Sequence, residues 1–132
     1  MPGQPLFILT QPMRLLDTRV SMPSGPAAKL QPGQTVGVTV PSLDGNIVIA
    51  AYLNITVTQT VGAGYLVVFA PDLSGQRPLP STSNVNWSAT GQTLANLVLT
   101  PVGGENGVGI HAAGTGPTDV VVDLQGYVPF VS

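Results

Sequence analysis

Apolar and polar residues alternate with a period of two in several short segments of this chain. Valines occupy every second position from Val36 to Val40. In residues 51–60 the two kinds of position also alternate: Ala51, Leu53, Ile55 and Val57 against Asn54, Thr56 and Thr58. Because successive side chains of a β-strand point to opposite faces, this alternation indicates strands with one buried and one solvated face.

Further segments of strand length occur along the chain: residues 64–71, 93–101, 107–114 and 118–128. Stretches rich in Gly and Pro, which favour turns, separate these segments. Helix formers are scarce, with one Lys and one Glu against 16 Gly and 13 Pro. The pattern predicts an all-β fold, an antiparallel β-sandwich or jelly-roll-like arrangement of about eight or nine short strands. We expect a single domain over residues 1–132.

The low charge of the chain excludes several classes of partner. Charged residues make up 8% of the sequence, against about a quarter in a typical soluble protein. Four cationic side chains form no basic patch that would bind a nucleic-acid backbone or an anionic membrane. The chain has no cysteine, so its stability must come from packing without disulfides. The apolar runs have the length of strands and are too short to span a bilayer.

The N-terminal residues do not form a secretory signal, so the chain either leaves its cell by another route or is a domain of a longer precursor. Residues 1–14 lack the basic segment and the long apolar run of a secretory signal. The initial Met favours a complete small protein. Prolines flank the apolar residues 6–9, at Pro5 and Pro12, so residues 1–12 form either an edge strand or an arm that docks on a neighbouring molecule.

Charge is concentrated near the two ends of the chain. Arg14, Asp17 and Arg19 lie close together in the first strand-like segment, and Asp119 and Asp123 lie in the last one. If these strands are neighbours, the arginines can pair with Asp123 as well as with Asp17, because the guanidinium group binds carboxylates bidentately. We therefore predict a structural charge cluster that joins the two ends. The alternative is a ligand site in which arginine binds a carboxylate or a sugar.

The sequence predicts no catalytic residue, no cofactor and no metal site. His111 is the single histidine, and without cysteine the chain lacks the ligands of a zinc site. Asp119 and Asp123 lie four residues apart on one strand, about 13 Å, whereas glycosidase carboxylates are about 5 to 9.5 Å apart. Two nearby arginines would keep Asp17 and Asp123 ionised, which does not suit a general acid. We also expect no calcium site at Asp44 or Asp72, since neither loop has enough acidic residues.

The aromatic residues supply the candidates for binding. Trp87 and Tyr65 are predicted as possible ligand or partner contacts, since exposed rings stack on sugars and pack in interfaces. Trp87 is the best single candidate for binding, although packing in the core is the favoured role of its ring. Tyr127 is expected to pack in the core with its hydroxyl hydrogen-bonded.

Four motifs carry a resemblance to a known group of proteins. They are RLLDTR at 14–19, LNITVTQTVGAGYLVVF at 53–69, SNVNWSATGQTLANLVLT at 83–100 and VVVDLQGY at 120–127. In this order the chain resembles the β-rich module found in actinobacterial extracellular proteins and in some phages of those bacteria. The resemblance covers nearly the whole chain and implies a β-rich fold. It implies no particular chemistry, because this module recurs without an established one.

These observations predict a non-enzymatic structural or interaction protein. The leading hypothesis is a phage virion component, a capsid decoration protein or a minor tail protein, at the virion surface. Its partners would be other virion proteins and further copies of itself in a homo-oligomer. The alternative is a carbohydrate-binding or adhesive module at a bacterial cell surface, with a surface polysaccharide as its ligand. A hydrolase that uses Asp123 is the third hypothesis.

Overall fold

A computed structural model describes residues 7–20, 27–42, 45, 47–71, 83–103 and 107–130. Within these ranges the chain forms eight strands: β1 (Ile8–Asp17), β2 (Thr35–Thr39), β3 (Val48–Thr58), β4 (Gly64–Phe69), β5 (Val85–Trp87), β6 (Leu94–Pro101), β7 (Gly107–Gly114) and β8 (Asp119–Pro129). The described residues include no helix long and apolar enough to cross a membrane. The expectations for Asp44 and Asp72 lie outside the described residues.

The strands pair in a nested order. Sheet one has the order β1-β8-β3-β6 and sheet two the order β2-β7-β4-β5, and every pairing is antiparallel. The first strand therefore pairs with the last, the second with the seventh, the third with the sixth and the fourth with the fifth. This is the connectivity of a hairpin rolled into two sheets, the jelly roll. The predicted all-β sandwich is confirmed.

The core lies between the two sheets and follows the period of two. Apolar side chains from the inner faces of both sheets are almost completely inaccessible to solvent: Leu53, Ile55, Val57, Leu66, Val108, Ile110, Val120, Val122, Leu124 and Tyr127. Burial of each large side chain contributes about 1.5–3 kcal/mol relative to exposure. The expectation that Tyr127 lies in the core is confirmed.

An extra residue in β8 decides what sheet one presents on its outer face. Leu53 pairs with Leu124, whereas Tyr52 pairs with Gly126, so Gln125 is an additional residue in β8. Such a β-bulge changes the face on which the following side chains lie. Leu124 therefore faces the core, and Gly126 lies on the outer face although it is only two residues further on.

Part of the N-terminal segment belongs to the sheet. Ile8 and Leu9 pair with β8 as the start of β1, which is an outermost strand of sheet one. Residues 8–12 thus form part of an edge strand, and residues 1–6 lie outside the described residues.

Candidate functional site

Arg14 links the first strand to the last. It lies opposite Asp123 in the β1–β8 pairing. Its Nε donates to Asp123 Oδ1 at 2.8 Å and its Nη2 donates to Asp123 Oδ2 at 3.2 Å. This bidentate geometry is the strongest form of the arginine–carboxylate hydrogen bond. The structure therefore brings together two side chains 109 positions apart in the sequence.

Asp17 receives hydrogen bonds from both arginines. The Nε and Nη2 atoms of Arg19 donate to its two carboxylate oxygens at 2.9 and 2.8 Å. The backbone N–H of Arg19 donates at 3.0 Å, and Arg14 Nη1 donates at 3.2 Å. These bonds, with that from the Arg19 side chain the largest cause, lower the pKa of Asp17 from 3.8 to about 2 although burial acts to raise it. All four residues of the predicted charge cluster thus lie together, with Arg14 contacting both aspartates and Arg19 contacting Asp17.

A second ionic contact joins a loop to the start of β8. Lys29 Nζ lies 3.8 Å from Asp119 Oδ2 and also donates to the carbonyl of Gln59. Thr18 Oγ1 donates to Asp119 Oδ1 at 2.8 Å and accepts from the Val120 N–H at 2.8 Å. Sequence reasoning identified Asp119 but missed Lys29. The signal was present, because Lys29 is the only lysine in the chain.

Of the two roles predicted for Trp87, the structure shows the favoured one, packing in the core, and corrects the possible contact with a ligand or a partner. Its side chain belongs to the core and is 3% exposed. Val85 and Trp87 occupy inward positions of β5, whereas Asn86 between them is exposed. Gly64 pairs with Trp87 and leaves the space that the indole fills, since a Cβ at Gly64 would lie 2.3 Å from Trp87 Cζ2. The indole ring of Trp87 therefore packs against Gly64 and is not exposed to solvent.

Tyr65 remains accessible on the outer face of sheet two. Its side chain is 41% exposed. It lies opposite Asn86 on β5 and opposite Ala113 on β7. Asn86 accepts a hydrogen bond of 3.0 Å from Ser83. An exposed ring beside an amide and a hydroxyl has the chemistry of a site that stacks on a sugar and hydrogen-bonds its hydroxyl groups.

His111 has a hydrogen-bond partner on the neighbouring strand. Its Nδ1 lies 2.8 Å from Thr35 Oγ1, across the β2–β7 pairing. Where the structure describes the chain, no three His, Asp or Glu side chains cluster as a metal site would require.

An apolar groove lies on the outer face of sheet one. Its volume is about 290 Å³, and it is lined by Phe7, Leu9, Tyr52, Leu97 and Gln125. The rings of Phe7 and Tyr52 meet edge to face with centroids 4.7 Å apart. Gly126 provides space for Phe7, because a Cβ there would lie 2.6 Å from the ring. Four of the five lining side chains are apolar or aromatic, so the groove suits apolar side chains.

Leucines project beside this groove because of the register of β6. Val98 of β6 pairs with Leu53 and lies in the core, so Leu97 and Leu99 point outward. They are 59% and 55% exposed, and Leu9 at the other edge of the sheet is 75% exposed. Sequence reasoning missed this surface. The shared face of Leu97 and Leu99 is visible in the sequence, but its direction is not.

The charge cluster and the groove lie on the same outer face. Arg14, Asp123, Asn54 and Leu97 lie opposite one another across the four strands. The next row contains Leu9, Gly126, Tyr52 and Leu99. We call the surface formed by these two rows, together with Phe7, Gln125, Asp17 and Arg19, the outer face of sheet one.

Neither a comparison with protein-family models nor a search of curated proteins found a match for this chain.

Proposed function

We propose that this chain is a non-enzymatic structural protein of a phage virion, a capsid decoration protein or a minor tail protein. The observation that carries the proposal is the outer face of sheet one, where large apolar side chains are exposed beside an apolar groove. A contiguous apolar surface on a folded domain marks a site of protein association.

Three further observations support this role. The jelly roll is used by many viral capsid domains, an analogy of fold that does not by itself assign a function. The chain also resembles a module present in phages of actinobacteria. The charged groups on the same face bind one another, and the ionised Asp17 is unsuited to donating a proton in catalysis.

The experiment is to purify phage particles produced by the source organism and to identify their proteins by mass spectrometry. We expect peptides of this chain in the particle band, at a constant ratio to the major capsid protein through successive purification steps. A chain recovered only in the soluble fraction of the lysate would contradict the proposal.

The second candidate function is carbohydrate binding at a bacterial surface, and Tyr65 is the observation that favours it. Its exposed ring and the neighbouring Asn86 form a polar and aromatic surface on sheet two. Trp87, the stronger of the two predicted contacts, is buried and does not support this function.

Affinity electrophoresis in gels containing cell-wall polysaccharide tests this candidate. If it is correct, the polysaccharide retards the wild-type chain, and Tyr65→Ala abolishes the retardation because it removes the stacking ring. Tyr65→Phe keeps the ring and should retain most of the effect. Equal mobility of the wild type with and without polysaccharide would exclude this function for the polymer used.

A further inference from the structure

We propose that the outer face of sheet one is an interface between two copies of this chain, which pack face to face about a two-fold axis. The inference rests on the proposed function and deepens it by naming the first partner and the surface that binds it. Three properties of the face carry the inference: its shape, its charge and its area.

The shape of the face is self-complementary. Leu9 and Leu99 project at the two edges of one row, and between them the rings of Phe7 and Tyr52 pack together over Gly126. The groove beside this row accepts apolar side chains. In a two-fold interface the same patch is used by both copies. The projecting leucines of one copy therefore enter the groove of the other, as apolar side chains interdigitate between stacked sheets.

The charges on the face do not oppose this packing. Two arginines and two aspartates are paired within the copy: Arg14 with Asp17 and Asp123, and Arg19 with Asp17. Their charges sum to zero, so two copies bring no excess of like charge together. Arg14 and Arg19 are about half exposed, with side-chain exposures of 47% and 45%. Their remaining donors can bind acceptors of the second copy at the rim, where interfaces are polar.

The sheet that carries this face is large enough for a stable contact. Four strands spaced about 4.8 Å apart, with a length of about ten residues, span about 19 by 33 Å, and the outer face of sheet one is the middle part of this surface. A contact that extends over the whole outer surface of the four strands covers a plane of about 630 Å² per copy, or about 1,260 Å² for two copies, which exceeds the ~1,000 Å² expected of a specific interface.

Sedimentation velocity over micromolar to millimolar concentrations tests the proposal. We expect the wild-type chain to change from monomer to dimer with concentration, and Leu97→Glu to remain monomeric where the wild type is dimeric. Each interface contains residue 97 twice, so the substitution buries two carboxylates and should raise the dissociation constant at least ~100-fold. Leu99→Glu should act in the same way.

Tyr65→Glu is the matched control, since it adds the same charge at an exposed position on the opposite sheet and should leave the dimer intact. Thermal unfolding at a concentration where all variants are monomeric checks that Leu97→Glu has not disturbed the fold, and Leu99→Glu provides an independent variant.

A wild-type chain that is monomeric at every concentration would overturn the proposal and leave the face to a partner of different chemistry. A dimer that survives both leucine substitutions, or one that Tyr65→Glu dissociates, would overturn it as well. These results are distinguishable from failure of the virion proposal, because mass spectrometry of particles detects incorporation whatever the oligomeric state.

Discussion

Asp17 is the residue on which the ionic contacts of β1 converge. It is nearly buried, and it accepts hydrogen bonds from two arginine side chains and one backbone N–H. A buried carboxylate would be costly without these donors, whereas with them it is kept ionised. The contact with Arg14 and the contact of Arg14 with Asp123 then connect this residue to β8. Asp17 is thus linked to β8 through Arg14, in addition to the backbone pairing of the two strands.

The acid stability of the protein should depend on Asp17. Its pKa in the fold, about 2, lies below its ordinary value of 3.8. The ion pairs therefore stabilise the fold above pH about 4, and this contribution is lost as the pH falls from about 4 to about 2. We expect the free energy of unfolding to fall by about 1–2 kcal/mol over this range because of Asp17, after allowance for the half-exposed arginines.

Urea unfolding of the wild type and of Asp17→Asn between pH 7 and pH 2 measures this contribution. The variant lacks the titrating group, so it should be less stable at neutral pH and approach the wild type at pH 2. A difference between the two proteins that stays constant over this range would show that Asp17 does not titrate as expected.

At the scale of elements, glycines determine where strands and rings approach closely. Gly64 on β4 makes room for the indole of Trp87 on β5, and Gly126 on β8 makes room for Phe7. A side chain at either position would displace a ring. Gly37 on β2 differs, because a Cβ at that position would have no neighbour within 4 Å. The same residue type therefore has a packing role in β4 and β8 but not in β2.

The substitutions Gly64→Ala and Gly37→Ala should separate these roles. The added methyl group at Gly64 collides with a buried ring, and such overpacking costs about 1–3 kcal/mol. At Gly37 the methyl group enters open space, and we expect a change below about 1 kcal/mol. Chemical denaturation followed by circular dichroism measures both. Equal effects of the two substitutions would contradict the packing of Trp87 against Gly64.

At the scale of the whole molecule, the nested pairing places β8, the last of the described strands, in the middle of sheet one. Strand β8 lies between β1 and β3, so it must be present before either has its full set of neighbours. Among the ion pairs of the described residues, that between Arg14 and Asp123 joins the two residues that lie farthest apart in the sequence. Contacts this distant in sequence make folding slow, because the chain loses much entropy before they form.

A chain that ends at residue 118 should therefore fail to fold. It lacks the buried side chains of β8: Val120, Val122, Leu124 and Tyr127. Their burial is worth about 6–12 kcal/mol, which is comparable to the entire stability of about 5–15 kcal/mol expected of a domain. A chain that ends at residue 130 keeps β8 and should unfold cooperatively. Circular dichroism and thermal unfolding compare the two, and cooperative melting of the shorter chain would contradict the central position of β8.

The local periodicity of the sequence determined the all-β class and most strand positions. Alternation over 51–60 predicted β3, and the repeated valines predicted β2, because side-chain direction along a strand is a property of the backbone alone. The positions of Arg14, Asp17 and Asp123 also permitted the prediction that they would meet if the first and last strands were neighbours. Whether the first and last strands are neighbours depends on strand pairing, and no local sequence pattern determines that pairing.

Only the tertiary structure decided which faces point inward and which distant residues meet. The leucines of β6 face solvent because Val98 pairs with Leu53, and Trp87 is buried because Gly64 lies opposite it. The extra Gln125 in β8 turns Gly126 outward and shapes the groove. Each outcome depends on register between strands far apart in the chain. A shift of register by one residue reverses the faces while the alternation in the sequence stays unchanged.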